Sequence, residues 1–333
     1  MTTRRHILHA LTTAGLLSAA LGGTAVHAQT AAPAPAAFPS KPLRFVVPFP
    51  PGSGTDTSAR YFAKKLTEMT GQTVLVDNKP GANGFIAVRA VQTAPADGYT
   101  VFVGSNSTLA VNAALFKSLP YDPVADFAPL TMMMRAASLL IVPAQSEYKT
   151  VAELVAAARA KPGQFNYGAG SAGYQLMAEA FSDATRIQAV HVPFKGASEV
   201  VSAVTAGTVQ FAFAEMTSAQ EMVKAGKLRA LAFASDQRSP TLPAVPTATE
   251  AGVPGFTAYT WVAAMVHVKT PKAETDKLAS LMTTIERLPE TREFYERLGA
   301  EVMNGGPEEM RAFQNAEIKL WKRIAVSAKV EQQ

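Results

Sequence analysis

Short runs of apolar residues alternate with segments of helical periodicity along most of the chain. This alternation predicts βαβ units, in which parallel strands are joined by covering helices. The predicted strands carry few polar positions, which is typical of strands buried on both faces. The predicted strands are KPLRFVVPF (41–49), QTVLVDN (72–78), GYTVFVGS (98–105), QFNYGAG (164–170), IQAVHVPF (187–194), TVQFAFA (208–214) and LRALAFAS (228–235). The predicted helices are TDTSARYFAKKLTEMT (55–70), TVAELVAAARA (150–160), YQLMAEAFSDA (174–184), ASEVVSAVTAG (197–207) and SAQEMVKAG (218–226).

Two segments depart from this alternation. FAPLTMMM (127–134) and SLLIVP (138–143) form a pair of apolar runs, and we expect the methionines of the first run to pack in the core. RSPTLPAVPTATEAGVPGF (238–256) is too rich in proline and glycine for long regular elements. After it we predict a strand in TAYTWVAAMVHV (257–268), then mainly helices with one short strand in GAEVMN (299–304).

The first 28 residues have the pattern of a secretory signal. Arg4 and Arg5 precede an apolar stretch of small residues from Ala10 to Val26, and small or compact residues precede a cleavage point after Ala28. The paired arginines are compatible with either the general secretory route or the twin-arginine route. We therefore expect an exported, periplasmic protein, in which residues 29–37 form a flexible leader.

The amino-acid composition argues against several classes of site and partner. The 333 residues are 48% hydrophobic and 17% charged and contain no cysteine, which excludes a disulfide framework and a thiol nucleophile. Loss of Arg4 and Arg5 would lower the formal charge from +5 to +3, so we expect no nucleic-acid partner. His191 and His267 would be the remaining histidines, so we expect no metal site and no cofactor.

Four predicted strand-to-helix loops are rich in glycine, serine and threonine. Ligands of open parallel sheets bind beyond the carboxyl ends of the strands, where helix N-termini offer unpaired N–H groups to an anion. Such loops could bind a carboxylate, or they could hold ordinary helix caps at Thr55, Ser107 and Ser198. The loops are PPGSGTD (50–56), GSNSTLA (104–110), GAGSAGY (168–174) and PFKGAS (193–198).

Enzymatic alternatives find little support in the motifs. Gly168, Gly170 and Gly173 match the dinucleotide fingerprint, but the following predicted strand lacks the acidic residue that binds a ribose. Ser171 does not stand in a nucleophile elbow, and no P-loop motif is present. A secreted hydrolase remains the alternative, with Asp56 or Glu215 as its base.

Three charged residues have open roles. Asp56 could organise a ligand, or it could pair with Arg60 one helical turn later. Glu215 follows an apolar strand and could accept a donor group of a ligand, or it could be a solvated loop residue. Arg135 could pair with a ligand carboxylate, although we favour the backbone loops over it.

Several motifs, in this order, resemble the tripartite tricarboxylate transporter receptor family, also called the Bug family. The resemblance runs from about residue 39 to residue 328. The motifs are KPLRFVVPFPPGSGTDTSAR (41–60), NKPGANGFIAV (78–88), APADGYTVFVGSNSTLAVNAALFKSLPYDPVADFAPL (94–130), KPGQFNYGAGSAG (161–173), VHVPFKGASE (190–199), GKLRALAFASDQRSPTLPAVPTATEAGVPGF (226–256) and the late Trp261.

The resemblance implies a two-lobed α/β periplasmic binding protein of type II topology. Each lobe would be a mostly parallel sheet flanked by helices. Together with the chain length, it predicts one lobe from residues 38–141 and 256–333 and a second from 142–255, with two connections between them. The receptor would bind an organic carboxylate between the lobes and deliver it to a membrane transporter. We expect a monomer that is not an enzyme, and a sensor kinase is a further candidate partner.

The resemblance also implies a set of ligand-binding residues. The third site departs from the family pattern, because Tyr174 stands where smaller hydroxyl residues are usual and Phe194 replaces a tyrosine. The usual acidic position falls on Ala214, with Glu215 beside it. We therefore expect an aromatic or longer carboxylate rather than an amino acid. The implied residues are Ser53, Gly54, Thr55, Asp56, Ser105, Asn106, Ser107, Thr108, Gly170, Ser171, Gly173, Tyr174, Phe194 and Glu215.

Overall fold

The computed structural model describes residues 38–333, so the predicted signal (1–28) and leader (29–37) lie outside the described part of the chain. These residues form ten strands, which are β1 Leu43–Val47, β2 Val74–Asn78, β3 Thr100–Ser105, β4 Phe127–Pro143, β5 Phe165–Ala169, β6 Ala189–Pro193, β7 Phe211–Glu215, β8 Leu228–Phe233, β9 Tyr259–His267 and β10 Ala300–Val302. The α-helices are α1 Gly54–Thr70, α2 Phe85–Gln92, α3 Asn112–Leu115, α4 Val151–Ala160, α5 Ala172–Thr185, α6 Ala197–Thr205, α7 Met216–Lys224, α8 Lys272–Glu286, α9 Pro289–Arg297 and α10 Pro307–Ser327.

The ten strands form one curled sheet in the order β2-β1-β3-β9-β4-β7-β5-β6, with β8 and β10 also paired to β4. Strand β4 runs through both parts of it. The first sheet half contains β1, β2, β3, β9, β10 and the beginning of β4. The second sheet half contains β5, β6, β7, β8 and the end of β4. The assignment of residues 38–141 with 256–333 and of 142–255 to separate lobes stays a prediction.

The α/β class is confirmed, but the sheet is mixed rather than mostly parallel. β1 pairs in parallel with β2 and β3, and β5 pairs in parallel with β6 and β7. Every pairing of β4 and β9 is antiparallel. Periodicity reveals that a segment is a strand but not which neighbour it joins. The antiparallel pairings belong to β4, which runs through both halves, and to β9, which pairs within the first half.

The two apolar runs at 127–134 and 138–143 belong to a single strand of 17 residues, β4. The sequence suggests a break because the polar Arg135 separates the runs, but its side chain simply points to solvent from the middle of the strand. Arg135 pairs there with Glu301 of β10, at 2.8 Å. The expectation that Met132, Met133 and Met134 are buried is confirmed.

Successive residues of the central strands pack into different cores. Phe45 of β1 contributes to the core beneath α1 and α8, whereas the next residue, Val46, packs on the opposite face with α2 and α10. Val262 and Ala263 of β9 divide in the same way. Burial on both faces explains why these strands lack polar alternation. The proline-rich segment 238–256 contains no regular helix or strand, as predicted.

A buried carboxyl group at the end of α8 makes the stability of the first sheet half depend on pH. Glu286 is 3% exposed and accepts a hydrogen bond from the Thr131 hydroxyl on β4. Burial raises the pKa of this carboxyl to about 8, although the hydrogen bonds and Arg287 oppose the shift. Because the folded-state pKa lies above the ordinary value, the protonated form stabilises the fold, and this stabilisation is lost as pH rises toward 8.

We predict that Glu286→Gln removes this pH dependence. Glutamine keeps the shape and hydrogen-bonding capacity of the protonated acid. Between about pH 5 and pH 8 the wild type should lose stability by on the order of 1 kcal/mol per pH unit relative to the variant. Thermal unfolding at both pH values checks this, with the exposed Glu293→Gln on α9 as control. Parallel curves for the wild type and Glu286→Gln would contradict it.

Candidate functional site

The loop between β1 and α1 presents a helix N-terminus toward the second sheet half. Ser53 is the N-cap of α1, and its hydroxyl accepts a hydrogen bond from the Asp56 N–H at 3.2 Å. Gly54 is the first residue of α1, so its N–H has no acceptor within the helix, and it donates to Glu215 Oε2 at 2.6 Å. This bond joins residues 161 positions apart in the sequence and connects the two sheet halves.

Asp56 holds this loop in shape. Its Oδ2 accepts hydrogen bonds from the Gly52 N–H at 2.9 Å and from Arg60 Nε at 3.0 Å. Its Oδ1 accepts one from Asn78 Nδ2 at 2.9 Å. Burial opposes ionisation, but these donors together lower the pKa of the carboxyl. The pairing of Asp56 with Arg60 is therefore confirmed, and an ionised, fully engaged carboxylate is a poor candidate for a general base.

The loop after β3 contributes a second set of polar groups. Ser105 and Asn106 lead into a π-helical turn, Ser107–Val111, a conformation that is rare and frequent at functional sites. The Thr108 hydroxyl bonds the backbone of Ser105 and so fixes the entry to the turn. Asn106 is 3% exposed, and its Nδ2 has no hydrogen-bond partner. A buried amide donor without an acceptor costs free energy unless a ligand or water completes it.

The loop between β5 and α5 faces these groups from the second sheet half. Ser171 is the N-cap of α5 and accepts a hydrogen bond from the Ser107 hydroxyl at 3.1 Å. The Gly173 N–H donates to Ser107 Oγ at 3.0 Å. Ser107 thus joins the two sheet halves twice. Gly170 lies so close to the backbone of Gly196 that a Cβ on it would stand 2.5 Å from the Gly196 carbonyl carbon.

Tyr174 and Glu215 complete the buried polar groups. Tyr174 is 7% exposed and its hydroxyl makes no hydrogen bond. Glu215 is 9% exposed, and its Oε2 also accepts from the Thr217 hydroxyl at 3.2 Å. Burial raises the pKa of the Glu215 carboxyl, and no lysine or arginine of residues 38–333 forms an ion pair with it. The carboxyl therefore tends toward the neutral acid.

These groups surround a small cavity of about 10 Å³, which is room for a single water-sized group. Its walls come from both sheet halves. Of the predicted residues, those on the wall are Ser53, Ser105, Asn106, Ser107, Gly170, Ser171, Tyr174 and Glu215. Phe49, Ala197 and Thr260 also line it and were not predicted. Phe49 directly precedes the predicted loop 50–56, and Ala197 lies inside the predicted loop 193–198. Thr260 lies in strand β9, and only its polarity beside Trp261 distinguishes it in the sequence.

The other predicted residues lie around the cavity without lining it. Gly54 and Gly173 donate their N–H groups to the lining residues Glu215 and Ser107, and Thr108 supports the π-helical turn. Thr55 and Asp56 are buried in the first turn of α1, and Phe194 lines a neighbouring cavity. Whether any of the predicted residues contacts a ligand stays a prediction. Arg135 lies elsewhere, in the ion pair with Glu301.

The helix-cap alternative for the loops was assigned to the wrong residues. Ser53 and Ser171 cap α1 and α5, whereas Thr55 and Ser198 lie inside helices and Ser107 begins the π-helical turn. Both caps also line the cavity, so capping and ligand binding are compatible roles for one hydroxyl.

The described part of the chain contains no group of three or more metal-ligating side chains in suitable positions. None of the helices within residues 38–333 combines the length and the apolar character that a membrane crossing requires.

Comparison of the chain with known proteins identifies a family of similar sequences. Residues 58–329 match the model of the tripartite tricarboxylate transporter family receptor. The chain is 34% identical over 316 residues to the protein BugT of Bordetella pertussis. The aligned region covers 92% of this chain and 96% of BugT.

Two solved structures have the same fold. One is R. palustris Rpa4515 with adipate, at 31% identity and a TM-score of 0.86, covering 89% of this chain and 100% of that one. The other is the periplasmic binding protein BugD, at 27% identity and a TM-score of 0.84, with the same coverage of both chains. The match to the family model, the identity to BugT and the shared fold agree, and the chain belongs to the tripartite tricarboxylate transporter receptor family.

Proposed function

We propose that this protein is a periplasmic receptor that captures a small organic carboxylate in the cavity between the sheet halves. The observation that carries the proposal is a buried cavity whose walls contain two donors without acceptors, Asn106 Nδ2 and the Tyr174 hydroxyl. Buried polar groups in native proteins are almost always hydrogen-bonded. A carboxylate supplies several acceptor sites in a small volume, so it satisfies both donors at once.

The donors belong to different sheet halves, which connects binding to closure. Asn106 follows β3 in the first half, and Tyr174 lies on α5 in the second. A ligand that accepts from both stabilises the arrangement in which the halves are close together. The cavity of about 10 Å³ has room for only one water-sized group, so a solute enters when the halves separate, and the halves then close around its carboxylate less tightly than in this structure. We infer that the predicted lobes, 38–141 with 256–333 and 142–255, open and close about their connections.

The relatives support the same role. Rpa4515 was solved with adipate, a dicarboxylate, and BugD is a periplasmic binding protein. We propose that this chain likewise acts in the periplasm after removal of residues 1–28, and that its closed form delivers the carboxylate to a membrane transporter. A receptor releases its ligand unchanged, which distinguishes this role from that of a secreted hydrolase.

Ser107→Ala tests the proposed site. The change removes the hydroxyl that bonds Ser171 and the Gly173 N–H, so both partners lose a hydrogen bond across the cavity. We expect the affinity for a carboxylate found by thermal-shift screening to fall about tenfold. The melting temperature of the ligand-free protein should change by no more than a few degrees.

Calorimetric titration measures the affinity, and Ser280→Ala on the exposed side of α8 is the matched control. Ser105→Ala should also weaken binding, because its hydroxyl accepts from the Ser107 N–H at 3.2 Å. Unchanged affinity in both Ser105→Ala and Ser107→Ala would remove this loop from the site.

A further inference from the structure

A second cavity adjoins the one described above. Its volume is about 210 Å³, and the two cavities share Phe49, Ser107, Gly170 and Ser171 as lining residues. The hydrogen bond from Ser107 to Ser171 therefore stands at the boundary between them. Because the inner cavity holds only a water-sized group, a solute whose carboxylate reaches Asn106 has its remaining atoms directed toward the second cavity.

The wall of the second cavity is largely apolar. Phe49 and Pro48 line it from the first sheet half, and Phe194 and Pro193 line it from the second. The Phe194 ring packs on the bare backbone of Gly168, where a Cβ would lie 3.1 Å from the ring. Such a wall favours methylene or ring carbons over charged groups.

Lys195 is the charged residue that lines this cavity. It is exposed, and its backbone N–H donates to Glu199 Oε2 at 3.0 Å. Its ammonium group forms no ion pair with any residue of 38–333. The next residue, Gly196, lies against Pro50 of the opposite half, where a Cβ would be 2.9 Å from the proline ring. Lys195 is thus held at the rim and has its positive charge available.

A strained turn forms another part of the wall. Gly81, Ala82, Asn83 and Gly84 all have positive φ, with 46° at Ala82 and 52° at Asn83. Asn112 holds the turn by donating from Nδ2 to the Asn83 carbonyl at 2.9 Å. Positive φ at non-glycine residues costs free energy and persists where the surroundings impose it. The turn is therefore a rigid boundary of the second cavity.

We propose that the second cavity is a subsite for the far end of an elongated dicarboxylate. One carboxylate binds in the inner cavity, the carbon chain passes between Phe49 and Phe194, and the second carboxylate lies near Lys195. The inference rests on the proposed function, because the inner cavity must bind the first carboxylate. It assigns to Lys195 the discrimination between diacids and monoacids, and to Phe194 the discrimination by chain length.

Lys195→Met tests the charge. The variant keeps an unbranched side chain and removes the ammonium group. Its affinity for adipate and suberate should fall about fivefold, as expected for a partly exposed ion pair, whereas its affinity for hexanoate and octanoate should stay within about twofold of the wild type. Calorimetric titration measures all four acids, and the exposed Lys161→Met at the end of α4 is the control.

Phe194→Ala tests the chain-length preference. Loss of the ring should weaken binding of suberate about tenfold and leave binding of the shorter succinate within about threefold. Equal losses for diacids and monoacids in Lys195→Met, or for long and short diacids in Phe194→Ala, would overturn the subsite. Binding of long diacids that depends on Ser107 but not on Lys195 or Phe194 would overturn the subsite alone. The absence of binding for every acid would contradict the proposed function itself.

Discussion

Replacing Gly173 by valine is expected to abolish tight ligand binding while leaving the ligand-free protein folded. A Cβ at position 173 would lie 2.8 Å from both Asn106 Nδ2 and Ser107 Oγ, well inside van der Waals contact. These two atoms belong to the first sheet half, whereas Gly173 lies in the first turn of α5 in the second. Valine therefore opposes the approach of the halves rather than the folding of either one.

The expected loss of affinity is about 100-fold. Overpacking of a closed interface costs about 1–3 kcal/mol, and the Gly173 N–H also loses its hydrogen bond to Ser107. Calorimetric titration measures the loss, and thermal unfolding without ligand tests whether the fold is retained. Ala184→Val, exposed on the same helix, controls for the lower helix propensity of valine. Affinity within about twofold of the wild type would show that this contact does not belong to the bound state.

The affinity of the wild type for a carboxylate is expected to fall as pH rises through the raised pKa of Glu215. Burial raises this pKa above the ordinary value of 4.5, and hydrogen bonds from the Gly54 N–H and the Thr217 hydroxyl limit the shift. The neutral acid can donate a hydrogen bond to a ligand carboxylate, whereas the ionised form repels it in a poorly solvated cavity. The protonated form also stabilises the folded state, and this stabilisation is lost as pH rises.

Glu215→Gln tests whether Glu215 acts as a neutral hydrogen-bond donor to the ligand or as an ionised acceptor. The glutamine amide can still accept from Gly54 and donate to the ligand, and it does not ionise. At a pH above the raised pKa of Glu215, the variant should bind a simple carboxylate about tenfold more tightly than the wild type, and the difference should shrink as the pH falls through that pKa. The exposed Glu221→Gln on α7 is the control. Weaker binding by Glu215→Gln at every pH would instead identify Glu215 as the acceptor of a ligand hydroxyl or ammonium group.

The local elements of this fold could be predicted because they depend on nearby residues. Helix α1 lies close to its predicted range of 55–70 and ends before Gly71 in the left-handed conformation, although its N-cap is Ser53 and not Thr55. The continuity of β4 through Arg135 could not be predicted, because it depends on pairing with β9 and β10, which come much later in the chain.

The features of the candidate site can likewise be divided into those that the sequence predicts and those that depend on tertiary contacts. The glycine- and serine-rich loops could be predicted, since the carboxyl ends of strands and the N-termini of helices mark them. The bond between Gly54 and Glu215 could not, because two sheet halves must fold and meet before these residues are neighbours. The π-helical turn at Ser107 also lacks a distinctive sequence pattern, and its polar residues are buried only by tertiary contacts.

Calorimetric titration of the purified protein with a panel of mono-, di- and tricarboxylates, followed by mass spectrometry of the recovered acid, tests the central claim most directly. The account predicts saturable binding of at least one carboxylate at one site per chain, with the acid recovered unchanged. It also predicts that this binding raises the melting temperature of the wild type. Failure of every carboxylate to bind, or conversion of a bound acid into a product, would contradict the account.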